Sequence, residues 1–241
     1  MKTKSGARRM MTTAEAAVRV SELTPNFLED LTPREVAAVL AAATPRRLRA
    51  NSVVAREGQS ADEVFLLLDG QARHFTTTRE GEKIVIMWIM PGEVSGCRAL
   101  LSKRPVPYLL STEAVVDSNA LVWERSAILA LARRFPKLLE NGLLIASDYL
   151  ALYRDLHIRV SYDRADKRVV WVLENLSREI GRKVAGGIEL KIRNEELANE
   201  ANVTVFTVSR LLSEWHRKGL LTKSRGRIVI RSLNGLGRDA G

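Results

Sequence analysis

The sequence predicts an α+β fold in three parts: a small antiparallel β-domain, a long helix, and a C-terminal helical domain ending in a β-hairpin. Three observations predict it. Short β-rich runs follow one another from Arg46 to Trp123, with Gly58, Gly70, Gly81 and Gly92 spaced by 12, 11 and 11 residues. Regular short strands with turn residues at that interval belong to a small barrel or sandwich. From Ser126 to about Val160 the apolar period becomes that of a helix. Beyond Asp163, two short helical segments precede a basic hairpin.

Residues 1–20 carry five Lys/Arg against one Glu and read as a disordered basic arm. Within the β-domain, residues 21–125, a first helix covers Leu31–Ala43: Thr32 is an N-cap, Pro33 fits the first helical position, and Glu35 lies in the first turn. The strands are Leu48–Ala55, Glu63–Leu68, Gln71–Thr77, Lys83–Met90, Leu109–Ala114 and Ser118–Trp123. The helical region, 126–162, carries two stripes stepping 4-3-4-3-4-3. One is Leu139, Leu143, Ala146, Leu150, Tyr153, His157 and Val160; the other is Leu138, Gly142, Ile145, Tyr149, Leu152, Leu156 and Arg159. That is the spacing of a coiled-coil seam. A helix apolar on two faces can pack one on its own barrel and the other on a twin, which predicts a homodimer; complete burial within one chain is the alternative. Tyr162–Asp166 is polar and reads as a hinge. Residues 163–241 then give helix Lys167–Gly181, strand Ile188–Lys191, helices Asn194–Ala201 and Val205–Lys218, and hairpin strands Leu220–Lys223 and Arg227–Ile230.

Charge is divided unevenly. The net +10 resolves into +4 over residues 1–20, −1 over 21–163 and +7 over 164–241. A near-neutral body joined to a basic end suits a polyanion-binding module. The one cysteine, Cys97, rules out a disulfide framework and a four-cysteine iron–sulfur cluster. No apolar run reaches the ~18 residues of a membrane span, and Met1–Met11 is basic and polar. These features predict a cytoplasmic chain with no membrane partner.

The segment Asn194–Leu212 carries the function. Leu197, Ala198 and Ala201 point inward, and a small residue such as Ala198 lets a second helix cross closely. Thr204 caps that helix, whose inner face is Val208, Leu211, Leu212 and Trp215. Val205, Phe206, Ser209 and Arg210 lie opposite. This is the helix-turn-helix arrangement that sets its second helix in the major groove of duplex DNA. The hairpin reads as a wing whose Lys223, Arg225 and Arg227 neutralise phosphates.

From about residue 27 to 231 the chain resembles the CRP/FNR family of bacterial transcription regulators. The resemblance rests on the glycine-punctuated strands, Pro91-Gly92-Glu93, the long helix, the hinge, and Thr207-Val208-Ser209-Arg210-Leu211-Leu212, which looks like the family's T-V-x-R-x-L signature. It implies a cyclic-nucleotide-binding-like β-roll joined by a dimerisation helix to a winged helix-turn-helix domain. It further implies a homodimer on a two-fold symmetric site and RNA polymerase as a partner. The DNA-binding residues are then Thr204, Val205, Phe206, Thr207, Ser209, Arg210, Lys223, Arg225 and Arg227.

Two departures matter. The family's cAMP-binding glutamate and Arg-Ser/Thr pair fall on Cys97, Pro107 and Tyr108, so cAMP is not expected; Glu93, Cys97, Arg104 and Tyr108 remain as effector-pocket candidates. At the start of the second helix, the Arg-Glu pair of members reading TGTGA-type half-sites is replaced by Val205-Phe206, apolar groups suited to thymine methyls. Phe206 could alternatively pack in the core. Cys97 could serve as a redox thiol or haem ligand or simply as a small hydrophobe, and His74 and His157 are lone histidines; no cofactor is predicted. A cupin-like enzyme needs clustered histidines on the barrel, where only His74 falls. A ligand-binding adaptor with an accessory basic domain is the other alternative; no aromatic stacking platform supports RNA binding by it.

Overall fold

A computed structural model describes residues 9–102 and 104–240, with nothing described of the Leu156 and Val160 side chains. Residues up to Thr76 with Ile86–Leu150 form one compact unit; Thr77–Val85 with the chain from Ala151 form the other.

Helix α1 spans Thr13–Leu23, and its first eight residues lie in the stretch expected to be disordered. The correction has a local cause. The Glu15 amide donates to Thr12 Oγ1 at 3.3 Å and the Thr12 amide donates to Glu15 Oε2 at 2.8 Å, a reciprocal cap that satisfies two orphan donors. Ala16 and Val20 are then buried in the core of the first unit. Residues 1–8 of the expected arm lie outside the described residues. Helix α2, Pro33–Ala41, has the expected Thr32 cap and first-position proline.

The β-roll consists of β1 Thr44–Leu48, β2 Val53–Ala55, β3 Glu63–Asp69, β4 Ala72–Thr77, β5 Lys83–Ile89, β6 Val94–Ser95, β7 Ser111–Ala114 and β8 Ser118–Glu124. They form two four-stranded sheets, ordered β1-β8-β3-β6 and β2-β7-β4-β5. The run expected as one strand from Leu48 to Ala55 is two, because the chain turns at Asn51, whose φ is 61°. All four predicted turn glycines have φ between 80° and 97°. At Gly70 a side chain is excluded twice over: φ is 84°, and a Cβ would stand 2.1 Å from Ser118 Oγ. Trp123 and Phe27 anchor the core, with ring centroids 6.0 Å apart and Trp123 Nε1 donating to Val39 O at 2.8 Å.

Short helix α3, Arg98–Leu101, follows β6. The helical stretch expected from Ser126 is two helices, α4 Arg125–Arg134 and α5 Lys137–Tyr162, because Pro136 cannot continue the first. Along α5 one stripe turns to the roll: Leu138 is fully buried, and Tyr149 donates to Val94 O at 3.3 Å. On the other stripe Leu139, Leu143, Leu150 and Tyr153 are 39%, 54%, 71% and 40% exposed. Ala146 on that stripe is half-buried and His157 exposed.

In the second unit α6, Ala165–Glu179, buries Val169, Leu173 and Leu176. A sheet follows, formed by β9 Arg182–Val184, β10 Gly187–Leu190, β11 Leu221–Ser224 and β12 Arg227–Ile230 in the order β11-β12-β10-β9. Helices α7 Asn194–Glu200 and α8 Val205–Arg217 lie between β10 and β11, and α9 Leu233–Asp239 closes the chain. Strand β9 and α9 were not expected. Within the stretch read as a hinge, Tyr162–Asp166, the helix breaks at Asp163–Arg164, and one side chain spans the break. Arg168 donates to Asp163 O at 2.7 Å, and also to Ala201 O and Asn202 O, at 2.9 and 3.0 Å, in the turn between α7 and α8.

Candidate nucleic-acid interface

The interface is built on a two-helix corner. After α7 the chain reverses at Asn202, whose φ of 48° asparagine tolerates, and the Val203 amide bonds Ala198 O at 3.0 Å. Leu197, Ala198 and Ala201 are buried, so the helices cross closely. Thr204 opens α8: its Oγ1 accepts the Thr207 amide at 3.1 Å and lies 2.9 Å from Thr207 Oγ1. Val208, Leu211, Leu212 and Trp215 are all at most 5% exposed, so the inner face of α8 is sealed. Trp215 Nε1 also donates to Asp239 Oδ2 of α9 at 3.0 Å, which ties the recognition helix to the chain's last helix.

The opposite face is bare. Val205 is 44% and Phe206 78% exposed, an apolar pair at the first turn of a helix with every other large apolar side chain inward. The core alternative for Phe206 is therefore not what the fold adopts. Arg210 is exposed, its guanidinium only 3.9 Å from Glu214, a loose i,i+4 pair that leaves it available to a ligand. Thr207 and Ser209 are half-buried on the flanks. The hairpin turns at Gly226, with Arg225 exposed at its tip. Lys223 Nζ bonds Ser213 Oγ at 2.5 Å, while the Arg227 guanidinium pairs with Glu189. Ser213 and Glu189 were absent from the sequence-derived site. No local pattern marks them, because each acquires its role from a partner on another element.

The four effector candidates are not brought to one place. Glu93 accepts the Met90 amide at 2.8 Å and lines a cavity of about 320 Å³ with Phe27, Ile145, Asp148 and Tyr149. Tyr108 lines another, of about 470 Å³; its hydroxyl accepts the Glu63 amide at 3.1 Å and donates to Glu63 O at 3.0 Å. Cys97 packs against the core, and burial pushes its thiol up to about 12, so it is not a thiolate at neutral pH. Arg104 is exposed at the surface. The roll interior carries its own polar chain: Thr112 Oγ1 lies 3.0 Å from His74 Nδ1 and 3.4 Å from Ser95 Oγ. Among the described residues, no group of three or more His, Cys, Asp or Glu could hold a metal, and no helix is long and apolar enough to cross a membrane.

Residues 45–135 match the cyclic nucleotide-binding domain family, and residues 167–238 match the Crp-like helix-turn-helix domain family. The chain is 28% identical over 202 residues to the cyclic AMP receptor protein of Thermus thermophilus, spanning 83% of this chain and 90% of that one. It is 25% identical over 224 residues to the nitrogen fixation regulation protein FixK of Azorhizobium caulinodans, spanning 91% and 88%. Its fold resembles that of FixK2 from Bradyrhizobium japonicum, with a TM-score of 0.68 at 23% identity over 81% of this chain and 96% of that one. The first match implies a cyclic nucleotide, and the residues at the three positions that the resemblance assigns to it do not fit one. A desolvated cyclic phosphate needs an arginine with hydroxyl or amide donors. Pro107 is bridged to Ser60, the Tyr108 hydroxyl is committed to the Glu63 backbone, and Cys97 is a half-buried neutral thiol. The two matches in this order, the relatives along most of the chain and the exposed corner of α8 converge on one assignment: the chain belongs to the CRP/FNR family of transcription regulators, with a cyclic-nucleotide-binding-like β-roll and a helix-turn-helix DNA-binding domain.

Proposed function

We propose that the chain acts as a homodimer that reads a two-fold symmetric DNA site, pairing through the outward stripe of α5. The observation that carries this is α8 itself, sealed by Val208, Leu211, Leu212 and Trp215 on one side and presenting Val205, Phe206 and Arg210 on the other. In a dimer, two such helices about 34 Å apart enter successive major grooves. Val205 and Phe206 suit thymine methyls, Arg210 with Thr207 and Ser209 supplies the polar contacts, and Thr204 holds the helix start. The absence of a fit for a cyclic phosphate supports an effector other than cAMP, or none. RNA polymerase is the partner such a dimer would address at a promoter.

The test is selection of genomic DNA fragments by the purified, ligand-free protein, followed by sequencing of the retained fragments. A recovered inverted repeat with thymine-rich half-sites is the expected result. Retention of fragments without any shared motif, fading uniformly with salt, would leave only charge-driven binding and overturn sequence-specific recognition by the unliganded chain.

A further inference from the structure

The three wing cations do not share a face. Along a strand, side chains alternate between faces, and residues directly opposed on neighbouring strands share one. Strand β11 sets Lys223 opposite Ile228 and Leu221 opposite Ile230, all but Lys223 being buried. Lys223 thus belongs to the face that packs beneath α8, where its ammonium donates to Ser213 Oγ. Ser213 Oγ donates in turn to Ser209 O at 2.7 Å, so the hydroxyl's lone pairs are left for the lysine. The ammonium keeps two further donors at an exposed position beside the outward face of α8.

Arg227 alternates to the other face. There β12 sets Val229 opposite Glu189, and β9 sets Arg182 opposite Glu189. Glu189 is 2% exposed, and its carboxylate is bound by Arg182 Nε and Nη2 at 3.2 and 2.9 Å and by the Arg227 guanidinium. A carboxylate buried in a sheet is stable only when paired, and breaking one partner away leaves an uncompensated charge. An Arg227 that left Glu189 to reach a phosphate would strip the cation from the buried Oε2, since Arg182 is bound at Oε1. Lys223 and Arg225 would not.

We propose that Glu189 is a positioning residue that divides the wing's cations. Lys223, braced on Ser213, and Arg225 at the hairpin tip meet the DNA backbone; Arg182 and Arg227 stay on the opposite face and neutralise Glu189. The proposal rests on the DNA-binding function argued above and makes Ser213 a contact-bracing residue within it.

The experiment is a salt titration of full-length protein on a labelled 40-base-pair duplex of mixed sequence, over about 50 to 200 mM salt, where each neutralised phosphate contributes about 0.9 to the slope of log K against log salt. Lys223→Ala is expected to lower the slope by about 0.9. Ser213→Ala weakens binding with the slope kept, because the charge remains. Arg227→Gln leaves slope and affinity unchanged but lowers the unfolding temperature, and Glu189→Gln added to it restores part of that loss. A slope drop in Arg227→Gln, or none in Lys223→Ala, would overturn the division. Should Arg227→Gln fail to fold, the Glu189→Gln/Arg227→Gln pair gives the same slope test. Wild-type protein without salt-dependent binding would instead sink the DNA-binding function. The thermal cycle would then judge the ion cluster alone, and a Glu189–Arg227 coupling of zero would remove it.

Discussion

His74 lies within the β-roll, its Nδ1 against Thr112 Oγ1, and burial pushes its imidazole down to about 4. Unfolded, the same group takes up a proton near pH 6.5. Between those values the unfolded chain holds more protons than the folded one. Stability from the neutral imidazole is therefore complete above about pH 6.5 and is lost as pH falls toward 4, by up to about 3 kcal/mol. Thermal melts from pH 7 to 4.5 should show the wild type losing stability more steeply than His74→Gln, and parallel curves would refute the assignment. At this scale the sequence was most legible where roles are local. Thr204, Val208, Leu212 and Trp215 follow from capping and helical period, both written within a dozen residues. The roles of Arg227 and Tyr108 were not legible, because Glu189 and the Glu63 backbone reach them only through sheet pairing and loop closure.

Among elements, α5 shows both what periodicity reveals and what it omits. Its two stripes were readable from spacing alone, and the fold turns Leu138 inward while leaving Leu143 and Leu150 bare. Exposed apolar side chains aligned along a helix mark an association surface. The double substitution Leu143→Asp and Leu150→Asp should yield a folded monomer by sedimentation velocity with markedly weaker DNA binding; an unchanged dimer would place the interface elsewhere. Helix α1 was missed for an instructive reason. Its capping box, Thr12 to Glu15, stands in the sequence, but five cations in the surrounding stretch suggested a solvated arm. Short elements such as β6 and β9 escaped because two or three residues carry no measurable period; their partner strands create them.

For the whole molecule, the chain divides into two compact units whose bounds differ from the division by charge: Thr77–Val85 groups with the C-terminal part, which begins at Ala151. A ligand that binds only the folded state at 100 times its dissociation constant adds about 2.7 kcal/mol of stability. Because Pro107 and Tyr108 stand where the resemblance puts the arginine–hydroxyl pair for a cyclic phosphate, millimolar cyclic AMP should leave both the melting temperature and the DNA affinity unchanged. A rise of several degrees in differential scanning fluorimetry would show that another residue, such as Arg104, takes the phosphate. The fold class and the order of the parts were evident from composition and spacing. The scattering of the four effector-pocket candidates was not, since a pocket is made by loops whose paths the spacing of strands does not encode.

The guanidinium of Arg168 serves three carbonyls at once, Asp163 just beyond α5 and Ala201 and Asn202 in the turn before α8. Its planar fork holds these donors at fixed angles to one another. The end of α5 and the turn before α8 thus share a single fastening, and replacing that one side chain would release both together.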